Sequence, residues 1–336
     1  MTKPGIALDA MGGDRMPDAA IDGALAAVAE GVEVVLVGDE PTLRAALDDR
    51  GAELDIVHAS DVIGMHEAAA EVRRRSDASV TVAARLVKEG DASALVSMGH
   101  SGATMAAALL GFGRLDGVER PAIVANIPAK TGVVTLLDVG ANADCRPRML
   151  QQFAVMGSVY ARLVHGIDDP SVGLLSIGEE PGKGNELVRD AYPLLAATPG
   201  IRFHGNVEGR DLLMGTTDVV VTDGFTGNVV LKLAEGEARV LFGWIRDALG
   251  ANLRSRVGGL LARPALRSVA DRLDPSTYGA QPLLGVGAPA FIGHGSSDQR
   301  AVRNALRFAH ASVRDELVPR LATELATLAE DTASSA

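Results

Sequence analysis

Apolar and polar positions along the chain follow two alternating rhythms. Short runs of aliphatic and β-branched residues give way to stretches where apolar residues return every three or four positions. That alternation predicts strands joined by helices in a doubly wound sheet. Strands are expected at 5–9, 32–37 and 54–58, with helices opened near Pro17 (through Ile21, Leu25 and Val28) and at Pro41. Residues 61–77 lack a clear period, and Arg73, Arg74 and Arg75 there read as a solvated face before a helix ending near Glu89. A strand at 93–97 leads through Met98-Gly-His-Ser-Gly-Ala-Thr104 into an alanine-rich helix. Runs at 122–126 and 133–138 stand so close together that they read as an antiparallel insertion. A helix from Pro147 to about His165 follows, then a strand at 171–177 and a helix to about Ala197. A strand at 201–204 and a short helix at 208–214 complete this region.

The stretch Asp218-Val-Val-Val-Thr-Asp-Gly-Phe-Thr-Gly-Asn228 organises the rest. A buried parallel strand ends in an acid, and open α/β sheets bind ligands at such ends. Gly224 and Gly227 are expected to turn backbone N–H groups toward an anion, with Thr226 and Asn228 as helix caps. Residues 228–249 are helical and apolar on a broad face. In 253–273 apolar positions interleave with arginines and are interrupted by Gly258-Gly259 and Pro264. Together 228–273 predict a protruding helical hairpin. Residues 278–287 read as a loop, 289–292 as a last strand, and Gly293-His-Gly-Ser-Ser-Asp298 as a turn into a long helix. Residues 331–336 read as a frayed tail. No linker or repeat divides the chain, so 1–330 is expected to be one α/β domain, a Rossmann-like α/β/α sandwich.

Composition narrows the function. Of 336 residues, 47% are hydrophobic but only 3% aromatic, and the net charge is −11. Few stacking rings and an acidic balance argue against nucleic acid. The single Cys145 excludes an internal disulfide and a cysteine-cluster metal site. With no apolar signal region and no run of about 18 apolar residues, the expectation is a soluble cytoplasmic protein.

Three motif matches fail on context. Gly285-Val-Gly-Ala-Pro-Ala290 has dinucleotide-fingerprint letters but precedes a strand. Residues 178–183 are one residue short of a P-loop, with Gly184 where a hydroxyl belongs. His100-Ser-Gly102 lacks the final glycine of a nucleophile elbow. What remains is collective. Asp9 with Gly12 and Gly13, the loop 99–104, Asp138 with Asn142, the loop 179–185, the turn 223–228 and the loop 294–297 each follow an expected strand. Carboxyl ends of a doubly wound sheet share an edge, so these groups are expected to line one cleft. Glycines, hydroxyls, amides, two histidines and Lys183 suit an oxyanion or phosphate rather than a metal.

Six segments carry a specific resemblance. Ala7-Leu-Asp-Ala-Met-Gly-Gly-Asp14, Leu137-Asp-Val-Gly-Ala-Asn142 with Asp144-Cys145, and Gly173-Leu-Leu-Ser-Ile-Gly-Glu-Glu180 with Lys183-Gly-Asn-Glu-Leu187 are three of them. The others are Gly205-Asn-Val-Glu-Gly-Arg-Asp211, Asp223-Gly-Phe-Thr-Gly-Asn-Val-Val-Leu-Lys232 and His294-Gly-Ser-Ser-Asp298. In order, over about residues 5–310, the chain resembles the bacterial phosphate acyltransferases, the PlsX family of phospholipid synthesis. One departure is Met98-Gly-His-Ser-Gly102, where the family usually shows Ala-Gly-Asn-Thr-Gly.

The resemblance implies a fold akin to phosphotransacetylase and isopropylmalate dehydrogenase, a homodimer, and the reaction acyl-ACP + phosphate → acyl phosphate + ACP. It implies supply of a downstream glycerol-3-phosphate acyltransferase, peripheral attachment to the membrane and no cofactor or metal. For such chemistry Lys183 and Asn228, with N–H groups of 224–227, are expected to hold phosphate and the developing charge. Asp223, Asn142 and Asn185 would orient them, and His100 or His294 would protonate the leaving thiolate. Asp9, Gly12, Gly13, Ser101, Gly102, Asp138, Thr226, Ser296 and Ser297 complete the expected pocket. Direct transfer is preferred to an acyl-Cys145 intermediate. Arg254, Arg256, Leu260, Leu261, Arg263 and Arg267 are expected to meet acyl carrier protein or an anionic membrane surface. The alternatives are a phosphotransacetylase acting on acyl-CoA and an idle module that docks acyl carrier protein.

Overall fold

Strand β1 (Ile6–Asp9) shows the logic of the sheet. All four of its residues are buried, and it pairs in parallel on both sides, with β2 (Val34–Gly38) and β4 (Ala94–Ser97). A strand covered on both faces is apolar up to its end, where Asp9 and Ser97 meet the loops, so these runs do not alternate. β3 (Asp55–His58) extends the sheet beyond β2. Helices α1 (Asp18–Val28), α2 (Glu40–Asp48) and α3 (Ser79–Glu89) connect these strands. The Asp39 carboxylate starts α2 by accepting the Thr42 N–H, and Gly90, at φ 84°, ends α3 in the left-handed conformation. The structure, a computed structural model, describes residues 4–334.

A second parallel set contains β6 (Val133–Leu137), β9 (Val219–Val221), β7 (Ser171–Leu175) and β8 (Arg202–Val207). Helices α5 (Pro147–His165), α6 (Glu186–Ala196) and α7 (Gly209–Met214) serve it. The two sets join through β11 (Ala290–Ile292), β10 (Gln281–Leu284) and β5 (Ala122–Pro128), giving one sheet in the order β3-β2-β1-β4-β11-β10-β5-β6-β9-β7-β8. β10 lies antiparallel to both β11 and β5, and β5 lies antiparallel to β6. Three reversals leave the two parallel sets running in opposite directions. The carboxyl ends of β1, β4 and β11 therefore occupy one edge, and those of β6, β9 and β7 the other. The expectation that all these ends share an edge is corrected: it assumed a sheet parallel throughout.

Helices cover both faces. α3, α4 (Ser101–Gly111), α7 and α8 (Gly224–Gly250) pack on one side, against Ala7, Leu95, Ala125, Leu283 and Ile292. α1 and α10 (Gln299–Arg314), with α5, α6 and α11 (Leu317–Ser334), pack on the other, against Leu8, Val96, Val124, Leu174 and Phe291. Successive strand residues point to opposite faces, so each strand feeds both layers.

The hairpin is present with altered bounds. α8 begins at Gly224, not at Asn228, and α9 (Leu253–Leu273) is one unbroken helix despite Pro264. No residue of α9 is buried, so the carbonyl that Pro264 leaves without a partner can meet water. Residues 278–287, expected as loop, contain β10. The terminal helix divides at Glu316, whose φ is 58°. The expected tail at 331–336 is helical as far as Ser334, and Ser335 and Ala336 lie outside the described residues.

Candidate active site

On the first edge three loops meet at glycines. Asp9 is buried, and its carboxylate accepts N–H groups of Met11 and Gly12 at 3.3 and 3.1 Å and the Ser97 hydroxyl at 2.7 Å. Those bonds fix the turn through Gly12 and Gly13, making Asp9 a scaffold for that turn. A Cβ on Gly12 would sit 2.5 Å from Asp9 Oδ2 and 3.0 Å from the Gly99 Cα. Gly13, at φ 110°, faces the Met98 and Gly295 carbonyls, and the Asp14 N–H donates to Gly295 at 2.7 Å. Loops after β1, β4 and β11 thus come together, as expected for this half of the set.

Helix α4 starts in the middle of them. His100 is its cap: Nδ1 accepts the Ala103 N–H at 3.0 Å, and the His100 carbonyl accepts from Thr104. With Nδ1 accepting at the cap, the neutral ring carries its proton on Nε2, the one nitrogen left to serve in the acid role expected for His100. Ring nitrogen Nδ1 does here what an asparagine oxygen does at other caps. Replacing His100 by Asn should leave stability within about 0.5 kcal/mol, whereas Ala should cost about 1 kcal/mol, read by urea unfolding. The N–H groups of Ser101 and Gly102 have no carbonyl one turn earlier, and Ser101 is exposed. An open helix start of this kind attracts an anion.

His294 closes the edge. Its Nε2 lies 3.7 Å from Glu235 Oε1, and Glu235 Oε2 holds Lys232 Nζ at 2.9 Å. Burial pushes the imidazole below its ordinary pKa. Lys232 and Arg239 act in the same direction, against Glu235. Ser297 is buried, with its N–H on the His294 carbonyl, while Ser296 is exposed. Lys232 and Glu235 were not assigned from the sequence. Their one signal was their spacing, which puts both on one side of α8.

The second edge carries the other expected residues. Asp138 is fully buried and accepts five hydrogen bonds: Ile123, Gly140, Ala141 and Asn142 N–H at 3.0, 3.1, 3.0 and 2.7 Å, and Asn142 Nδ2 at 3.0 Å. Burial raises its pKa, yet five donors face it, and we read it as the carboxylate. Asn142 also donates to the Pro121 carbonyl. Asp138 and Asn142 are therefore turned inward, holding their loop.

Asp223, rather than Thr226 or Asn228, caps α8, accepting both the N–H and the hydroxyl of Thr226 at 2.8 Å. Gly224 N–H donates to the Asn142 carbonyl and Gly227 N–H to the Asp223 carbonyl. Three N–H groups expected to bind phosphate are thus used inside the protein, because the helix begins one turn earlier than the pattern suggested. Asn185 caps α6 through the Val188 N–H. Lys183 and Asn228 are exposed, and among the described residues no hydrogen bond or ion pair engages either side chain. Helix α8 links the edges. Asp223 caps it at one, and Glu235, twelve residues on and about 18 Å along the axis, meets His294 at the other. The single pocket expected around Lys183 is corrected accordingly: its members form two clusters.

Cys145 lies on the second edge, half-buried, its Sγ 3.8 Å from the Asn142 carbonyl. Burial, with Asp138, Asp223 and Asp144 nearby, pushes the thiol up to about 12. A thiol that keeps its proton is a poor nucleophile. Cys145→Ala should retain acyl-transfer turnover within about twofold, and intact-mass spectra during turnover should show no acyl adduct on the unmodified protein.

Both clusters fall within the stretch of chain that known proteins match. A model of the fatty acid synthesis protein family matches residues 5–320. The chain belongs to that family. Within it, the phosphate acyltransferase of Thermus thermophilus is 61% identical over 323 residues, covering 96% of this chain and 99% of the relative. That of Deinococcus radiodurans is 56% identical over 290 residues, covering 84% and 81%. Among solved structures, a phosphotransacetylase from Streptococcus pyogenes superposes with a TM-score of 0.65 at 19% identity, over 93% of this chain and 94% of the other. The EutD phosphotransacetylase of Staphylococcus aureus gives 0.61 at 16% identity, over the same shares. At such identities the likeness concerns the fold, and it bears out the α/β/α sandwich of phosphotransacetylase type.

Proposed function

We propose that this member of the fatty acid synthesis protein family moves a fatty acyl group from an acyl carrier protein thioester to inorganic phosphate. Phosphate oxygen bonds to the thioester carbonyl carbon and gives up its proton, the carbon–sulfur bond breaks, and the sulfur leaves with that electron pair and takes up the proton as the free thiol. Phosphate is already an anionic nucleophile, so the protein's task is to hold it against the carbonyl and steady the oxyanion. The observation that carries the reading is the first edge. The open start of α4, three glycine-lined loops and a half-buried histidine beside Glu235 converge there. Ser101 and Gly102 N–H groups suit phosphate, and His294 suits the carbonyl oxygen.

The finer parts of the reading concern partners. Arg254, Arg256, Arg263 and Arg267 are exposed on α9 beside exposed Leu260 and Leu261, a mixture that suits an acidic carrier protein or an anionic bilayer surface. No described helix is long and apolar enough to cross a membrane. Peripheral attachment, a homodimer and delivery of acyl phosphate to a glycerol-3-phosphate acyltransferase complete the proposal.

The test is acyl phosphate itself, trapped as its hydroxamate. Palmitoyl carrier protein and palmitoyl-CoA, each with phosphate, are compared at matched concentration. The carrier substrate is expected to be used preferentially. Preference for the CoA ester would favour the phosphotransacetylase alternative, and no hydroxamate from either would leave only the docking module.

A further inference from the structure

Beside His294, between α8 and the sheet, lies a cavity of about 280 Å³. Leu231, Ala234, Ala238 and Leu241 of α8 form one wall, and Ile127 and Ile292 belong to the sheet beneath. Leu213 and Leu273 close its sides, and His294 and Glu235 stand on its rim. A groove of about 930 Å³ between α8 and α9 shares Glu235, Ala238 and Leu273 with it. A path therefore runs from the imidazole, under α8, into the hairpin, apolar along its floor and bordered there by Arg239, Arg246, Arg256, Arg263 and Arg267. An apolar recess with a few polar groups at its mouth is the usual form of a site for an apolar ligand.

We propose that this cavity seats the substrate's acyl chain, with the thioester carbonyl at His294 and the chain passing Ala234 and Ala238 into the groove between α8 and α9. The proposal rests on the acyl-transfer reading and adds to it where the chain lies and what measures its length. A water in the liquid occupies roughly 30 Å³, so the cavity holds roughly nine groups of that size, a methylene being comparable. Short chains fit inside it, and long ones must cross the junction at Ala238. Side chains there, rather than those at the carbonyl, then decide discrimination by length.

Ala238→Phe narrows the junction and Ala270→Leu fills the groove beyond it. Each is assayed as purified full-length protein with butyryl, octanoyl and palmitoyl thioesters of acyl carrier protein, reading hydroxamate. kcat/KM for the palmitoyl substrate is expected to fall roughly 10- to 100-fold and for the butyryl substrate to stay within about twofold. Should one variant fail to fold by circular dichroism, the other decides. Unchanged palmitoyl turnover in a folded variant, or an equal loss on all three chains, would overturn the proposal. If the unmodified protein makes no acyl phosphate from any of the three, it is the acyl-transfer reading that fails.

Discussion

Replacing His294 with alanine is expected to lower kcat/KM for acyl phosphate formation about 100-fold, the effect of losing one preorganised donor to an oxyanion. The Lys232 ammonium holds one oxygen of Glu235, and the other oxygen lies 3.7 Å from His294 Nε2. At 3.7 Å the carboxylate is beyond hydrogen-bond reach of Nε2, so the neutral ring can carry its proton on the nitrogen that faces the substrate and donate it to the oxyanion. The sign of the pH effect follows. Burial and Lys232 depress the His294 pKa below the ordinary 6.5, so neutral imidazole is the form present at physiological pH. Turnover should be level across neutral pH, with its acid limb below 6.5. Lys232→Met removes one depressing charge and should move that limb upward, whereas Glu235→Gln should move it further down. Stability has the same sign: below 6.5 the unfolded chain takes the proton first, and stability declines until the folded imidazole also protonates. A His294→Ala variant with turnover within threefold of the parent, in the same assay, would remove this residue from the reaction.

Asp138→Ala is expected to produce the largest loss of stability, about 3–5 kcal/mol. The substitution leaves four backbone N–H groups and the Asn142 amide facing no acceptor, in a place water reaches poorly. Each orphaned donor costs about 1–3 kcal/mol, and relaxation of the loop recovers part of the sum. The damage would spread to α8, because the Asp138 loop supplies the carbonyl that receives the Gly224 N–H. Its contact with Gly227 is so close that a Cβ there would fall 2.0 Å from the Asp138 carbonyl oxygen. Asp138→Asn keeps the shape but turns an NH₂ toward donors, and should cost nearly as much. Urea unfolding followed by circular dichroism measures both. A midpoint equivalent to a loss under about 1 kcal/mol would show that the carboxylate is not what holds the loop.

Local pattern carried most elements and little of their arrangement. Runs such as Ile6-Ala-Leu-Asp9 and Val219-Val-Val221 are legible because a strand buried on both faces admits little but aliphatic residues. Strand direction is not legible in the same way. Whether Leu283-Leu284 pairs antiparallel with Ala122-Ile123 depends on contacts over 150 residues away in sequence, and nothing in Gln281-Pro-Leu-Leu284 declares it. That one pairing helps to send Asp223 and His294 to opposite edges. Caps were partly legible. Asp223 and Asn185 have the residue type for the task, but Thr226 and Asn228 looked equally able, and a hydroxyl inside a first turn resembles one at its start. The capping role of His100 was missed because a histidine suggests proton transfer before it suggests a cap. Pro264 marked a break that the exposed helix did not need.

The two clusters make the decisive measurement a positional one. Crystals of the protein soaked in inorganic phosphate, ideally with a thioether analogue of the acyl carrier, would show which edge takes the anion. Density is predicted at the start of α4, within hydrogen-bond reach of the Ser101 and Gly102 N–H groups and beside His294. Phosphate seated instead between Lys183 and Asn228, with the α4 start empty, would contradict the site assigned here.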